Sequence, residues 1–330
     1  MWRTRLGTTD FVIPCRSHGL NQTDRSGLPI ALLVGMNSRK VFGRPETSIG
    51  PPPRIGLALG GGFARGIAHI GVLRVFERHG VPIHCVTGVS AGSIVAAAYA
   101  SGAHADEIAS AACSMRFSDV ARWSLNKTGF VVSKRMTPFL QKLLKHHRFE
   151  EMPIPLGVVA TDLCTGEGVS FRETGDVFLP IRASCSYPGL FQPVHSDGRV
   201  LVDGAMSIGI PALLARELGA THIISVHLPA PPCGRPPADV FQVIRRCFQI
   251  MQTRTEDGWR RATDLVITPD LRDIAWDGFE CGAELVSAGE AAALAVLPEI
   301  ESWSSGVPCQ CPEGKDPGLS TPFPQVVRLT

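Results

Sequence analysis

Apolar residues along the chain gather in two patterns: short unbroken runs, and longer stretches in which they return every three or four positions. The runs are Ile55-Gly56-Leu57-Ala58-Leu59, Ile83-His84-Cys85-Val86-Thr87, 154–162, Val200-Leu201-Val202, Ile223-Ile224-Ser225-Val226-His227 and 265–269. Runs of this kind, bounded by turn residues, predict strands buried on both faces. Between them, 67–79 carries apolar side chains at 67, 70, 73 and 76 and leaves Arg74, Glu77 and Arg78 for water, which predicts a helix. Further helices are predicted over 93–100, 104–117, 136–148, 179–184, 211–218, 239–254 and 282–300; that at 136–148 opens with Thr137-Pro138 as cap and first turn. The helix over 239–254 sets Val240, Ile244, Cys247 and Met251 on one side and Gln242, Arg245, Arg246 and Gln249 on the other; it reads as a packed helix with a solvated basic face, the alternative being contact with an anionic membrane surface. Segment 168–171 pairs with 154–162 as a hairpin across Thr165-Gly166-Glu167, whereas 122–134 and 186–194 read as loops. Strands alternating with helices predict an α/β fold with a largely parallel sheet and ligands at the carboxyl ends of its strands.

The ends of the chain break this pattern. Residues 1–53 have no apolar period and finish in Pro51-Pro52-Pro53, an extension and stiff linker ahead of a domain at 54–303; the Pro/Gly-rich residues 304–330 form a loosely attached tail. The apolar run at 28–36 is shorter than the ~20 residues of a membrane-spanning helix. It also lies late for a signal peptide and has no small-x-small site after it, and Met36 offers a second start. With 32 basic against 30 acidic residues, nothing favours a nucleic-acid partner. Ten cysteines occur without Cys-x-x-Cys spacing, and the close pair Cys309 and Cys311 reads as incidental. No metal is expected, and the cysteines fit a reducing, cytoplasmic compartment with room for peripheral membrane contact.

Three stretches carry chemistry, each directly after an apolar run. Gly88-Val89-Ser90-Ala91-Gly92 is a strand-to-helix elbow: tight turns around Gly88 and Gly92 push the Ser90 hydroxyl outward at a helix N-terminus, where developing negative charge is favoured. Gly60-Gly61-Gly62-Phe63-Ala64-Arg65-Gly66 forms a nest of backbone N–H groups for an anion. It misses the dinucleotide fingerprint by one residue, and the strand that follows ends in Ser90 rather than an acid, so an oxyanion is the expected guest. Val200-Leu201-Val202-Asp203-Gly204-Ala205 delivers a carboxylate at a strand end, a candidate general base. Ser90 would attack an ester carbonyl, Asp203 would take its proton, and the N–H groups of Gly60, Gly61 and Gly62 would hold the oxyanion. Arg65 would fix that loop or add positive potential.

These motifs, with 182–194, give the chain a resemblance over about residues 54–300 to patatin-like phospholipases, in the bacterial branch related to the catalytic domain of neuropathy target esterase. The resemblance implies a three-layer α/β/α fold with a mostly parallel central sheet, a lipid or fatty acyl ester substrate, a Ser90–Asp203 dyad, and no cofactor. Phe63 departs from the family, where many members carry glycine or another small residue. Two other readings stand beside it: an α/β-hydrolase triad using His222 or His227, which follow Asp203 in the required order, and a non-catalytic lipid-, protein- or nucleotide-binding module.

Overall fold

The computed structural model describes residues 52–120, 122–126, 128–229, 236–305 and 327–328. In chain order the strands are β1 (Ile55–Leu59), β2 (Ile83–Val89), β3 (Arg122–Asn126), β4 (Gly129–Val132), β5 (Leu156–Asp162), β6 (Gly168–Phe171), β7 (Val194–Ser196), β8 (Arg199–Asp203), β9 (His222–Val226), β10 (Leu265–Ile267) and β11 (Val327–Arg328). The α-helices are α1 (Ala68–Arg78), α2 (Ala91–Ala100), α3 (Ala105–Ser114), α4 (Phe117–Val120), α5 (Met136–Leu143), α6 (Phe178–Ser184), α7 (Ala212–Glu217), α8 (Val240–Arg261) and α9 (Gly282–Ser305).

The central sheet runs β10-β9-β1-β2-β5-β6-β11. Its first five strands are parallel neighbours, and β6 returns antiparallel to β5 as the predicted hairpin. Side-chain alternation along β1 makes the layers: Leu57 and Leu59 join the large core shared with α1, α2 and α9, while Ala58 joins a smaller core with Ala212, Ala215 and Trp259 on the opposite face. On that second face α7 lies close, because Gly56 leaves room for it; a Cβ there would stand 3.0 Å from that of Ala215. The result is an α/β/α sandwich.

Four expectations need correction. Segment 122–134 is not a loop: β3 and β4 form an antiparallel hairpin. It is tied to 190–192 by Phe130 and Val131 N–H groups donating to Leu190 O and by Gln192 N–H donating to Val131 O. Helix α5 stops at Leu143 rather than 148, because Leu144 is extended and the Lys145 N–H bonds the Ser101 hydroxyl instead of a helical carbonyl. Helix α8 continues past 254 to Arg261, where Trp259 anchors it in the smaller core. Lastly, β8 runs antiparallel to β5, against the parallel reading of the strands that carry the motifs. Residues 1–51 and most of 304–330 lie outside the described residues; of the tail, Val327 and Arg328 pair with β6.

Residues Phe279–Trp303 have the length and hydropathy to cross a membrane, but in the fold α9 lies along α1. The crossing depends on two glycines. A Cβ on Gly71 would overlap the carbonyl oxygen of Val286, and one on Gly289 would overlap that of Ala68. Overpacking of this kind costs about 1–3 kcal/mol. Although alanine is the better helix former, Gly289→Ala should therefore lower the melting temperature by several degrees; thermal unfolding followed by circular dichroism checks this.

Candidate active site

Ser90 lies between the end of β2 and the start of α2 with φ 52° and ψ −129°, a conformation L-residues rarely adopt and one that costs about 1–3 kcal/mol. Glycines on both sides permit it. A Cβ on Gly88 would come within 2.5 Å of the Gly92 carbonyl oxygen, and one on Gly92 would overlap the Leu59 carbonyl oxygen at the end of β1. The elbow is then held by serines: Ser90 N–H donates to Ser184 Oγ at 2.8 Å, and Ser93 donates to Ser90 O from its hydroxyl at 2.6 Å and from its N–H at 2.8 Å.

Asp203 reaches this elbow because of β5. One edge of β5 pairs with β6; the other pairs first with β2, Val159 opposite Val89, and at the next residue with β8, Ala160 opposite Asp203. Two strands running in opposite directions thus end against each other on one edge, each delivering its last side chain to the same point. Ser90 Oγ donates to Asp203 Oδ2 at 2.7 Å, and Ala205 N–H donates to Asp203 Oδ1 at 2.9 Å. Gly204 makes the turn possible, since a Cβ there would overlap the Val159 carbonyl oxygen. Asp203 is 2% exposed. Burial raises its carboxyl to about 6, the bonds from Ser90 and Ala205 holding back part of the rise.

The glycine loop borders the same point, but not all of it has free N–H groups. Gly60 is committed, its N–H to Val226 O at 3.2 Å and its carbonyl to His69 Nε2 at 2.8 Å. His69 is fully buried, which lowers its pKa to about 4; since a carbonyl can only accept, the neutral ring carries its hydrogen on Nε2. Arg65 is committed too. Its N–H bonds Gly62 O, and its guanidinium bonds Ile274 O from Nε at 3.0 Å and Nη2 at 2.5 Å and Pro229 O from Nη1 at 3.3 Å. Gly60 and Arg65 are thus removed as direct oxyanion donors, and Arg65 fixes the loop. The N–H groups of Gly61 and Gly62 have no acceptor among the described residues, and that of Ala91 opens α2, where helical N–H groups are unpaired. Gly61 faces the hydroxyl: a Cβ on it would lie 3.3 Å from Ser90 Cβ.

Two cavities meet at Ser90, Phe63 and Tyr187. One, of about 820 Å³ including its mouth, is walled by apolar residues such as Ile94, Ile108, Met136, Phe139 and Phe191. The other, about 1110 Å³ including the open space at its mouth, passes the glycine loop and Asp203 and is roofed by α8 through Arg245, Gln249, Gln252 and Glu256. Phe63 sits at the divide with φ 51°, its ring 4.6 Å from Trp276 and 5.3 Å from Phe279.

Known proteins place the chain. Residues 57–216 match the patatin-like phospholipase family. An uncharacterized NTE family protein of Mycobacterium tuberculosis is 31% identical over 271 residues, 81% of this chain and 74% of its own. The chain belongs to the patatin-like phospholipase family. Lysophospholipase NTE1 of Lodderomyces elongisporus is 32% identical over 178 residues, which are 52% of this chain and 12% of that much longer protein. In three dimensions VipD of Legionella pneumophila superimposes with a TM-score of 0.52 at 13% identity, covering 76% of this chain and 67% of VipD, and shares the fold. As a patatin-like phospholipase the chain is a lipid ester hydrolase.

Within this patatin-like site, no histidine stands between hydroxyl and carboxylate. His195 is exposed on β7, His222 bonds Thr221 at the opening of β9, and His227 lies 3.4 Å from Glu256 with its ring tilted against that of Trp259. Sequence reasoning missed Ser184, Ala91 and Arg245. Ser184 lay within the quoted stretch 182–194, but a lone serine gives no sign that it will cap a distant backbone. Asp203→Asn keeps both hydrogen bonds, its Oδ1 accepting from Ala205 and its Nδ2 donating to Ser90, while removing a buried charge. The raised carboxyl favours the folded state fully below 3.8 and loses that contribution as pH rises through about 6. Thermal scans should therefore find D203N more stable than the parent at pH 8, by about 5 °C, and equal to it near pH 4.

Proposed function

We propose that Ser90 is the nucleophile and Asp203 the general base of a lipid acyl hydrolase working through an acyl-enzyme. The 2.7 Å contact between Ser90 Oγ and Asp203 Oδ2, at the junction of an apolar and a polar cavity, carries this reading. The acyl chain lies in the apolar cavity and sets the ester carbonyl at Ser90. As Oγ attacks, its proton passes to Asp203, and the negative oxygen meets the N–H groups of Gly61, Gly62 and Ala91. Asp203 returns the proton to the departing alcohol, and a water that gives its proton to the same carboxylate attacks the acyl-enzyme. Oγ then leaves with that proton, releasing the fatty acid. Burial supports the role of base, since a carboxyl raised to about 6 is more basic than a solvated one yet ionised at neutral pH. The triad reading lacks a histidine within reach, because hydroxyl and carboxylate already touch.

The polar cavity favours a phosphate-bearing headgroup. Arg245 lines it with no acidic partner among the described residues, over the Trp276 ring at 5.6 Å, and close enough to Arg65 to lower that group's pKa further after burial. A cation beside a cation at the roof of the site calls for an anion on the substrate. This is consistent with the name of the fungal relative, a lysophospholipase, and with a cytoplasmic enzyme that meets its lipid at a membrane surface.

Ser90→Ala should abolish labelling by a fluorophosphonate probe, and Ser90→Ala and D203N should each lower kcat about 1000-fold or more on p-nitrophenyl esters. A binding module would show no labelling in the parent. The kcat/KM of the parent should fall about tenfold per pH unit below a limb near 6. For Arg245→Gln, the ratio of kcat/KM on lysophosphatidylcholine to that on the monoacylglycerol of the same chain should drop about tenfold or more. An unchanged ratio would remove Arg245 from headgroup recognition.

A further inference from the structure

Helix α8 carries its polarity the wrong way round for a surface helix. Towards the interior, Arg245, Gln249, Gln252 and Glu256 face the polar cavity. Towards the outside, Val240, Val243 and Ile250 are 64%, 44% and 53% exposed, with Cys247 exposed between them. Positions 240, 243, 247 and 250 follow the three- and four-residue step that places side chains in one row along a helix. Phe241, 41% exposed, extends the row sideways onto the tip of the β3–β4 hairpin, where its ring meets that of Phe130, 44% exposed, at 5.7 Å. Trp259 alone among the described side chains of α8 is buried, so the N-terminal half of the helix leans on the domain through lighter contacts, Phe248 on Tyr187 and Ile244 over Gly189. The basic face expected from the sequence is divided: Arg245 turns inward, while Arg246 and Arg254 border the apolar row and have no acidic partner among the described residues.

We infer that the outer face of α8 together with Phe130 is a docking surface for an anionic lipid bilayer, which sets the polar cavity over the leaflet. The inference rests on the lipid hydrolase reading above, because the occupant is chosen by what the helix covers. A diacyl or monoacyl lipid ester has to leave an aggregated phase to reach Ser90, and the surface around the cavity mouth is what that phase meets. An apolar row inserts among acyl chains, and flanking arginines pair with lipid phosphates; together these are the two attractions that hold an interfacial helix.

The test uses the full chain bearing Ser90→Ala, so that vesicles are not consumed, in co-sedimentation with phosphatidylcholine vesicles with and without phosphatidylglycerol. Binding is expected to vesicles containing phosphatidylglycerol, and Val243→Asp/Ile250→Asp should lower the bound fraction about tenfold. Val243→Ser/Ile250→Ser should give a smaller loss in the same direction, and Arg246→Gln/Arg254→Gln should erase the preference for phosphatidylglycerol. Val243 and Ile250 are both exposed, and unchanged cooperative melting establishes that the variants fold. Sedimentation of the aspartate pair equal to the parent overturns the proposal. So does absence of vesicle binding by the parent together with a dimer in analytical ultracentrifugation that the aspartate pair dissociates, which would assign the face to a second copy. Because S90A cannot turn over substrate, loss of binding and loss of hydrolysis are read separately. Vesicle binding by the Ser90→Ala chain, with no fluorophosphonate labelling of the chain that keeps Ser90, would leave the docking surface and sink the enzyme mechanism.

Discussion

The site depends on two strands that end against each other. Strand β2 comes up one edge of β5 and stops at Val89; β8 comes down the same edge and stops at Asp203, opposite the next residue of β5. In a sheet, consecutive pairing positions on one strand are fixed by the hydrogen-bond ladder. A hydroxyl and a carboxylate separated by 113 positions in the chain are therefore held 2.7 Å apart without any flexible linker between them. Bringing them together requires strain and burial: a left-handed backbone at Ser90 and a carboxylate removed from water. Strain at Ser90 aims the side chain, and burial of Asp203 makes it basic, so each unfavourable term has a use in the proposed chemistry.

Around that contact, side chains at some distance keep backbone groups in place. His69, buried and neutral, holds the Gly60 carbonyl, and Arg65 ties the same loop to Ile274 and Pro229. With Gly60 pinned to the end of β9, the following N–H groups at Gly61 and Gly62 are left without protein acceptors among the described residues. Phe63 alone in this loop has a positive φ, and its ring packs into an aromatic group with Trp276, Phe279 and Phe117. A bulky residue in place of a smaller one is thereby accommodated by the segment around 276–279, which has the aromatic surface to receive it. The ring also forms part of the divide between the apolar and polar cavities, so this departure from the family pattern shapes the space a substrate would occupy.

Helix α8 links the polar cavity to the outside. Its inward charge and outward apolar row reverse the ordinary arrangement, in which a helix buries its apolar stripe against the core. The reversal follows from what lies beneath: a cavity lined by polar groups rather than packed side chains, with Trp259 near the far end supplying the deep anchor. Headgroup recognition and lipid docking would then share one element, read from its two faces.

Much of this was legible in the residues. The apolar runs gave the parallel core of the sheet and the hairpin from β5 to β6, because burial on both faces leaves an unbroken apolar signature. The elbow, the glycine loop and the Asp203 turn were legible because glycines next to a serine or an acid mark places where the backbone approaches itself too closely for a Cβ. The direction of β8 was not legible. Its residues satisfy either pairing, and β5 alone settles which. The hairpin at 122–132 was hidden for a like reason, since its ladder is completed by Leu190 and Gln192, residues far along the chain. The commitment of Gly60 and Arg65 to structural bonds, the Ser184 hydrogen bond and the inward turn of Arg245 were likewise decided only in the folded chain. A local pattern fixes which groups can bond and which surfaces avoid water; which partner each group finds depends on segments that the fold alone brings near.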